Sequence, residues 1–95
     1  MPRQTKTSKA AEAQKAIDNT VYMLDLIISD NQVPRNIRRT ADEAKTALQN
    51  AKETPAVRAS NAISLLDDLS NDPNCPVHTR TQIYQALSHL ETIQD

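Results

Sequence analysis

The sequence predicts an all-α fold, an antiparallel up-and-down four-helix bundle, and three observations predict it. Apolar residues recur at three- and four-residue steps through four segments. No stretch alternates with the period of two that a half-buried strand requires. The chain also nearly repeats itself: Val33-Pro34-Arg35-Asn36-Ile37-Arg38 returns forty-two positions later as Cys75-Pro76-Val77-His78-Thr79-Arg80. Sliding residues 23–48 onto 65–90 without a gap superposes Leu24 on Leu66, Asp25 on Asp67, Asp30 on Asp72, Pro34 on Pro76, Arg38 on Arg80, Ala44 on Ala86 and Leu48 on Leu90. Thr54-Pro55-Ala56-Val57-Arg58 is a weaker third echo. Each echo reads as a helix end, a short proline-bearing loop and a new helix.

The elements follow in order. Residues 1–7 are polar, basic and aperiodic, which predicts a flexible tail. The first helix, expected over about 8–30, carries Ala10, Ala13, Ile17, Val21, Leu24 and Ile28 on one stripe. Between Val21 and Ile28 the stripe swells until seven of eight positions are apolar, more than one helix face can bury. That excess predicts a partner interface at Tyr22, Met23, Leu26 and Ile27. The second helix (34–51) opens with Pro34, whose missing N–H costs nothing in a first helical turn, and places Ile37, Ala41, Ala44 and Leu48 on one face. Thr54-Pro55 is the clearest helix start in the chain, a hydroxyl cap followed by proline, and opens the third helix (55–71) with Ala62, Leu65, Leu66 and Leu69. Asn71 is expected to close it in the role glycine usually takes. The fourth helix (76–94) carries Ile83, Leu87 and Leu90.

Loops of about four to six residues make successive helices antiparallel neighbours. The rival arrangement is two stacked HEAT-like helical hairpins, because a forty-two-residue period falls in the range of such repeats. Two repeats without dedicated caps would expose their ends, which favours the bundle.

Composition excludes several function classes. With no glycine there is no Walker loop, no dinucleotide fingerprint and no nucleophile elbow. With no Phe or Trp, base-stacking platforms are limited to Tyr22 and Tyr84. One cysteine forms no internal disulfide and suits a reducing compartment. No apolar run reaches membrane-spanning length and no apolar signal core follows Met1, so a cytoplasmic protein is expected. The net charge of −1 is unevenly spread: residues 1–60 hold ten Lys/Arg against seven Asp/Glu, and residues 61–95 hold one against five. The halves can attract each other or neighbouring copies, and the basic half can meet nucleic acid.

Several residues stand near chemistry without composing it. Asp72, Cys75 and His78 sit at three-residue steps, but they are only three ligands, and His89 lies about 16 Å further along the same helix. Asp67 and Asp68 are adjacent, so on a helix they diverge by about 100°. No catalytic residue, metal or cofactor is therefore expected. Arg38, Arg58 and Arg80 each follow a helix start, where the helix dipole disfavours a cation. Asp30 and Asp72 precede Arg38 and Arg80 by eight residues, which predicts two structural clasps, Asp30–Arg38 and Asp72–Arg80, with Asp25 and Asp67 as alternate partners. Arg35 and Arg39, one turn apart, form with Lys45 and the basic residues Arg3, Lys6, Lys9 and Lys15 a candidate phosphate-contacting surface.

Val-Pro-Arg-Asn-Ile-Arg-Arg, Pro-Ala-Val-Arg-Ala, Ile-Ser-Leu-Leu-Asp-Asp-Leu-Ser-Asn-Asp-Pro-Asn and Pro-Val-His-Thr-Arg-Thr together resemble a small archaeal group, uncharacterised protein family 0147. The resemblance spans about Ile17 to Ile93 and implies a compact four-helix bundle in an archaeal cytoplasm; it brings no activity. The functional expectation is a non-catalytic helical module that binds another protein or a second copy of itself. The alternative is an RNA- or ribosome-associated factor using the basic first half.

Overall fold

The computed structural model describes residues 6–95 and contains four helices: α1 Lys6–Ile28, α2 Arg35–Leu48, α3 Pro55–Ser70 and α4 Val77–Leu90. There is no strand among the described residues. The tail expected at residues 1–7 lies outside this span except for Lys6 and Thr7, which open α1. The helices pack in a closed ring, α1 on α2, α2 on α3, α3 on α4 and α4 on α1, with a slighter diagonal contact between α1 and α3. Stacked hairpins would instead set α2 against α4, a pair that makes no such contact; the ring is a bundle.

The core follows most of the expected stripes, but on α1 Ala10 is exposed and Ile27 is buried in the core. Leu24, Ile27, Ile37, Ala41, Ala44, Ala62, Leu66, Ile83 and Ala86 are fully buried. The alanines on α2 and α3 let those two helices pack closely. The repeat holds in three dimensions: from residue 23 to 48 each position has the same burial class as the position forty-two later, Ile28/Ser70 being the one departure. The helix–loop–helix formed by the end of α1 with α2 is therefore matched by α3 with α4 about a pseudo-twofold axis.

The three loops, residues 29–34, 49–54 and 71–76, share one conformation, and glycine's absence explains its form. No described residue has positive φ, so no helix closes through a left-handed residue; Asn71, expected in that role, has φ −95°. Each helix instead tightens into a three-residue-step bond, Asp30 N–H to Ile27, Asn50 N–H to Ala47 and Asp72 N–H to Leu69. The same Asp or Asn then accepts, through its side chain, the N–H two residues on: Gln32 to Asp30 at 2.9 Å, Lys52 to Asn50 at 3.1 Å and Asn74 to Asp72 at 2.8 Å. This early tightening ends α2 at Leu48, short of the expected 51, and α4 ends at Leu90, short of the expected 94, with like bonds from the Thr92 N–H to His89 and the Ile93 N–H to Leu90. The next helix starts at once on Pro34, Thr54 or Pro76.

Candidate functional site

The two matched loops lie at one end of the bundle, and their aspartates reach across it. One oxygen of each carboxylate is held in its own loop turn. The other is free to meet the neighbouring repeat. Asp30 Oδ2 meets His78 Nε2 at 3.1 Å, joining the end of α1 to the start of α4. Asn36 Nδ2 donates to Asp72 Oδ2 at 3.3 Å, joining the start of α2 to the end of α3. Asn36 and His78 occupy equivalent places in the repeat, so these contacts are symmetry mates. The Asp30 carboxyl is held below its ordinary value of 3.8, first by the Gln32 N–H, then by His78, and more weakly by the charge of Arg38.

These contacts correct the expected clasps. Neither Asp30–Arg38 nor Asp72–Arg80 forms a carboxylate–guanidinium pair; among the described residues Asp25 pairs with Lys45, and Asp30 meets the His78 imidazole. Arg80 does reach Asp72, but through the backbone: its Nη2 donates to the carbonyls of Asp72 at 3.3 Å and Cys75 at 3.5 Å. The carboxylates were committed elsewhere by the loop turn, which aims their second oxygen at the other repeat.

Between the end of α1 and the start of α2 lies a shallow depression of ≈ 410 Å³ lined by Ile28, Arg35, Arg38, Arg39 and Asp42. Arg35 and Arg39 are exposed there and Arg38 is half-buried. Lys45, expected beside them, is engaged elsewhere: its ammonium donates to Asp25 at 2.7 Å, a bond that raises its pKa above the usual lysine value against the opposing effect of burial. Arg38 takes its place in the cluster. Lys9 lines a separate depression of ≈ 490 Å³ with Thr54, Pro55 and Asp95. There the start of α3 is filled by Asp95, which accepts from Thr54 Oγ1 and the Ala56 N–H, both at 2.9 Å. Arg3 lies outside the described residues.

The apolar excess of α1 divides. Tyr22 is 67% exposed and Leu26 43% exposed, one turn apart on the outer face. Met23 is half-buried, and Ile27, expected at the surface, is fully buried in the core with Leu24. The reason is angular: Leu24 and Ile27 fall on the core stripe, while Tyr22 and Leu26 fall opposite it. On α4, Val77 and Tyr84 are also exposed.

Cys75 is buried, and its Sγ lies 3.7 Å from the Pro76 carbonyl. Burial raises its thiol pKa above the ordinary 9.0, with Arg80 opposing. It occupies the place of Val33 in the repeat and packs as a small apolar residue. Among the described residues, no group of three or more His, Cys, Asp or Glu side chains is gathered to hold a metal ion. No helix among them is long and apolar enough to cross a membrane.

A duplicated helix–loop–helix closed into a four-helix bundle, with an arginine-lined depression beside one loop, defines a small all-helical class. The chain belongs to the uncharacterised protein family UPF0147, whose family model matches residues 4–93. It is 44% identical to a UPF0147 protein of Desulfurococcus amylolyticus, over 93% of this chain and 97% of that one. It is 48% identical to UPF0147 protein MJ1419 of Methanocaldococcus jannaschii, over 85% and 87%. The crystal structure of the unknown-function protein MMP1188 is 44% identical, covers both chains completely and superposes with a TM-score of 0.81. A crystal structure from the same family in Thermoplasma acidophilum, 34% identical over 88% of this chain and 99% of that one, superposes with a TM-score of 0.82. The curated relatives that match are archaeal.

Proposed function

We propose that the protein is a non-catalytic helical interaction module that pairs with a second copy of itself through the outer face of α1. The observation that carries this reading is the exposure of Tyr22 and Leu26 on adjacent turns of the longest helix. Helical pairing places residues at i and i+4 against a partner groove, and a tyrosine supplies large contact area at little entropic cost. The unequal charge of the two halves favours a partner that presents the opposite end. Light scattering tests it: the native chain is expected at twice its 10.6 kDa mass. The Tyr22→Lys/Leu26→Glu double variant is expected as a monomer of unchanged helicity. A variant that associates as the native chain does rules out the α1 face as the interface.

A second reading, an RNA- or ribosome-associated factor, is favoured by the three arginines sharing the α1–α2 depression. Salt-sensitive co-sedimentation with ribosomal RNA supports it; no co-sedimentation at low salt removes it.

A further inference from the structure

The three like loops contain an internal comparison. Each following helix carries an arginine four residues beyond its cap, and the N–H groups of Arg38, Arg58 and Arg80 bond the cap carbonyls of Pro34, Thr54 and Pro76. Arg58 turns back and donates from Nε to the Glu53 carbonyl at 2.8 Å. Arg80 donates from Nη2 to the carbonyls of Asp72 and Cys75, although its own Nε is unpartnered. Arg38 departs from both. Its Nε is buried without a partner, as that of Arg80 is, but its guanidinium donates to no described residue while lining the α1–α2 depression.

The surroundings of Arg38 also differ from those of its mates. Arg35 and Arg39 flank it, whereas the second repeat has Val77 and Thr81 at the same places. Thus three guanidinium groups meet at the start of α2, where the helix dipole adds further positive potential. No acidic residue lies in the first turn of α2, and its Pro34 cap contributes no side-chain bond. Asp42 is the single carboxylate on the depression. The Arg38 guanidinium lacks the carbonyl acceptors that hold those of Arg58 and Arg80, and an oxyanion in the depression supplies one.

We propose that the α1–α2 depression holds a phosphate of an RNA backbone, gripped by Arg35, Arg38 and Arg39. The inference rests on the RNA reading for the source of the phosphate, and on the arginine geometry for the site. The shallowness of the depression suits one phosphate of a strand passing over the surface, not an enclosed small molecule. A phosphorylated peptide is less well served, since Ile28 is the single apolar side chain beside the arginines and no strand edge is offered. Neither tyrosine lines the depression, so the contact grips the backbone without reading bases.

The test is fluorescence anisotropy with a labelled oligouridylate, titrated at several salt concentrations with the native chain, with Arg35→Gln/Arg39→Gln and with Lys52→Gln. Arg35, Arg39 and Lys52 are exposed, so all three proteins are expected to fold alike. The native chain and Lys52→Gln are expected to bind equally. The double variant is expected to bind at least tenfold more weakly, with a log–log salt slope flatter by about 0.7, the loss of one single-strand phosphate contact. Equal binding and slope in the double variant overturn the site while leaving the RNA reading standing. Absence of binding by the native chain at low salt overturns the proposal. Preference for a phosphoserine peptide over the oligonucleotide, lost in the same double variant, overturns RNA as the source.

Discussion

Two buried threonines should respond to the same substitution with opposite signs. Thr20 on α1 and Thr79 on α4 are both fully buried. The Thr20 hydroxyl donates to the Ala16 carbonyl at 2.8 Å. The Thr79 hydroxyl has no partner, in the place that Ile37 fills in the other repeat. Valine preserves the branched shape and its preferred rotamer while removing the oxygen. At Thr79 it relieves an unmet polar group, whose burial costs on the order of 1–3 kcal/mol, so Thr79→Val is expected to stabilise by about 1 kcal/mol after imperfect repacking. At Thr20 the same change removes a made bond and is expected to destabilise by about 0.5–1.5 kcal/mol. For a domain of this size, 1 kcal/mol corresponds to roughly 4–8 °C in Tm, well within reach of thermal unfolding followed by circular dichroism. If Thr79→Val lowered Tm as Thr20→Val does, the Thr79 hydroxyl would have a partner and the comparison between repeats would fail at that position.

Acid stability should depend on Asp30. Its carboxyl is depressed in the folded chain, so the stability it contributes is present above its ordinary value of 3.8 and is lost as pH falls through and below that value. Asn at this position keeps an oxygen for the Gln32 N–H and drops the charge, so Asp30→Asn is expected to show a shallower loss of Tm between about pH 5 and pH 3 than the native chain; identical pH profiles would refute the assignment. Cys75 should resist thiol reagents, because burial keeps it protonated and inaccessible. Its labelling by a disulfide reagent is expected to follow global unfolding in denaturant, and rapid labelling of the native chain would contradict its placement in the core.

Much of the fold was legible because its signals are local. Thr54-Pro55 marks its helix start within two residues, and the hydroxyl indeed accepts the Val57 N–H. The repeat carried the whole helix–loop–helix plan, since each match is a position on the same core stripe. The expected clasps differ from the contacts made because an aspartate's partner depends on ring closure: His78 is forty-eight residues from Asp30, and Asn36 is thirty-six from Asp72. The forty-two-residue offset that aligns Asn36 with His78 was the available signal. In sequence Lys45 falls with the arginines because Asp25, its partner, is twenty residues away on another helix. For Ile27, an apolar run shows that a helix has an excess, not which residues form it; its angle to Leu24 decides that.

The pairing of two copies through α1 is tested most directly by amide NMR spectra recorded over a dilution series of the native chain. Concentration-dependent shifts centred on Tyr22 and Leu26 are expected, with relaxation reporting a particle of twice the chain mass at the concentrated end. Spectra unchanged on dilution, with the tumbling of a 10.6 kDa monomer throughout, would contradict it.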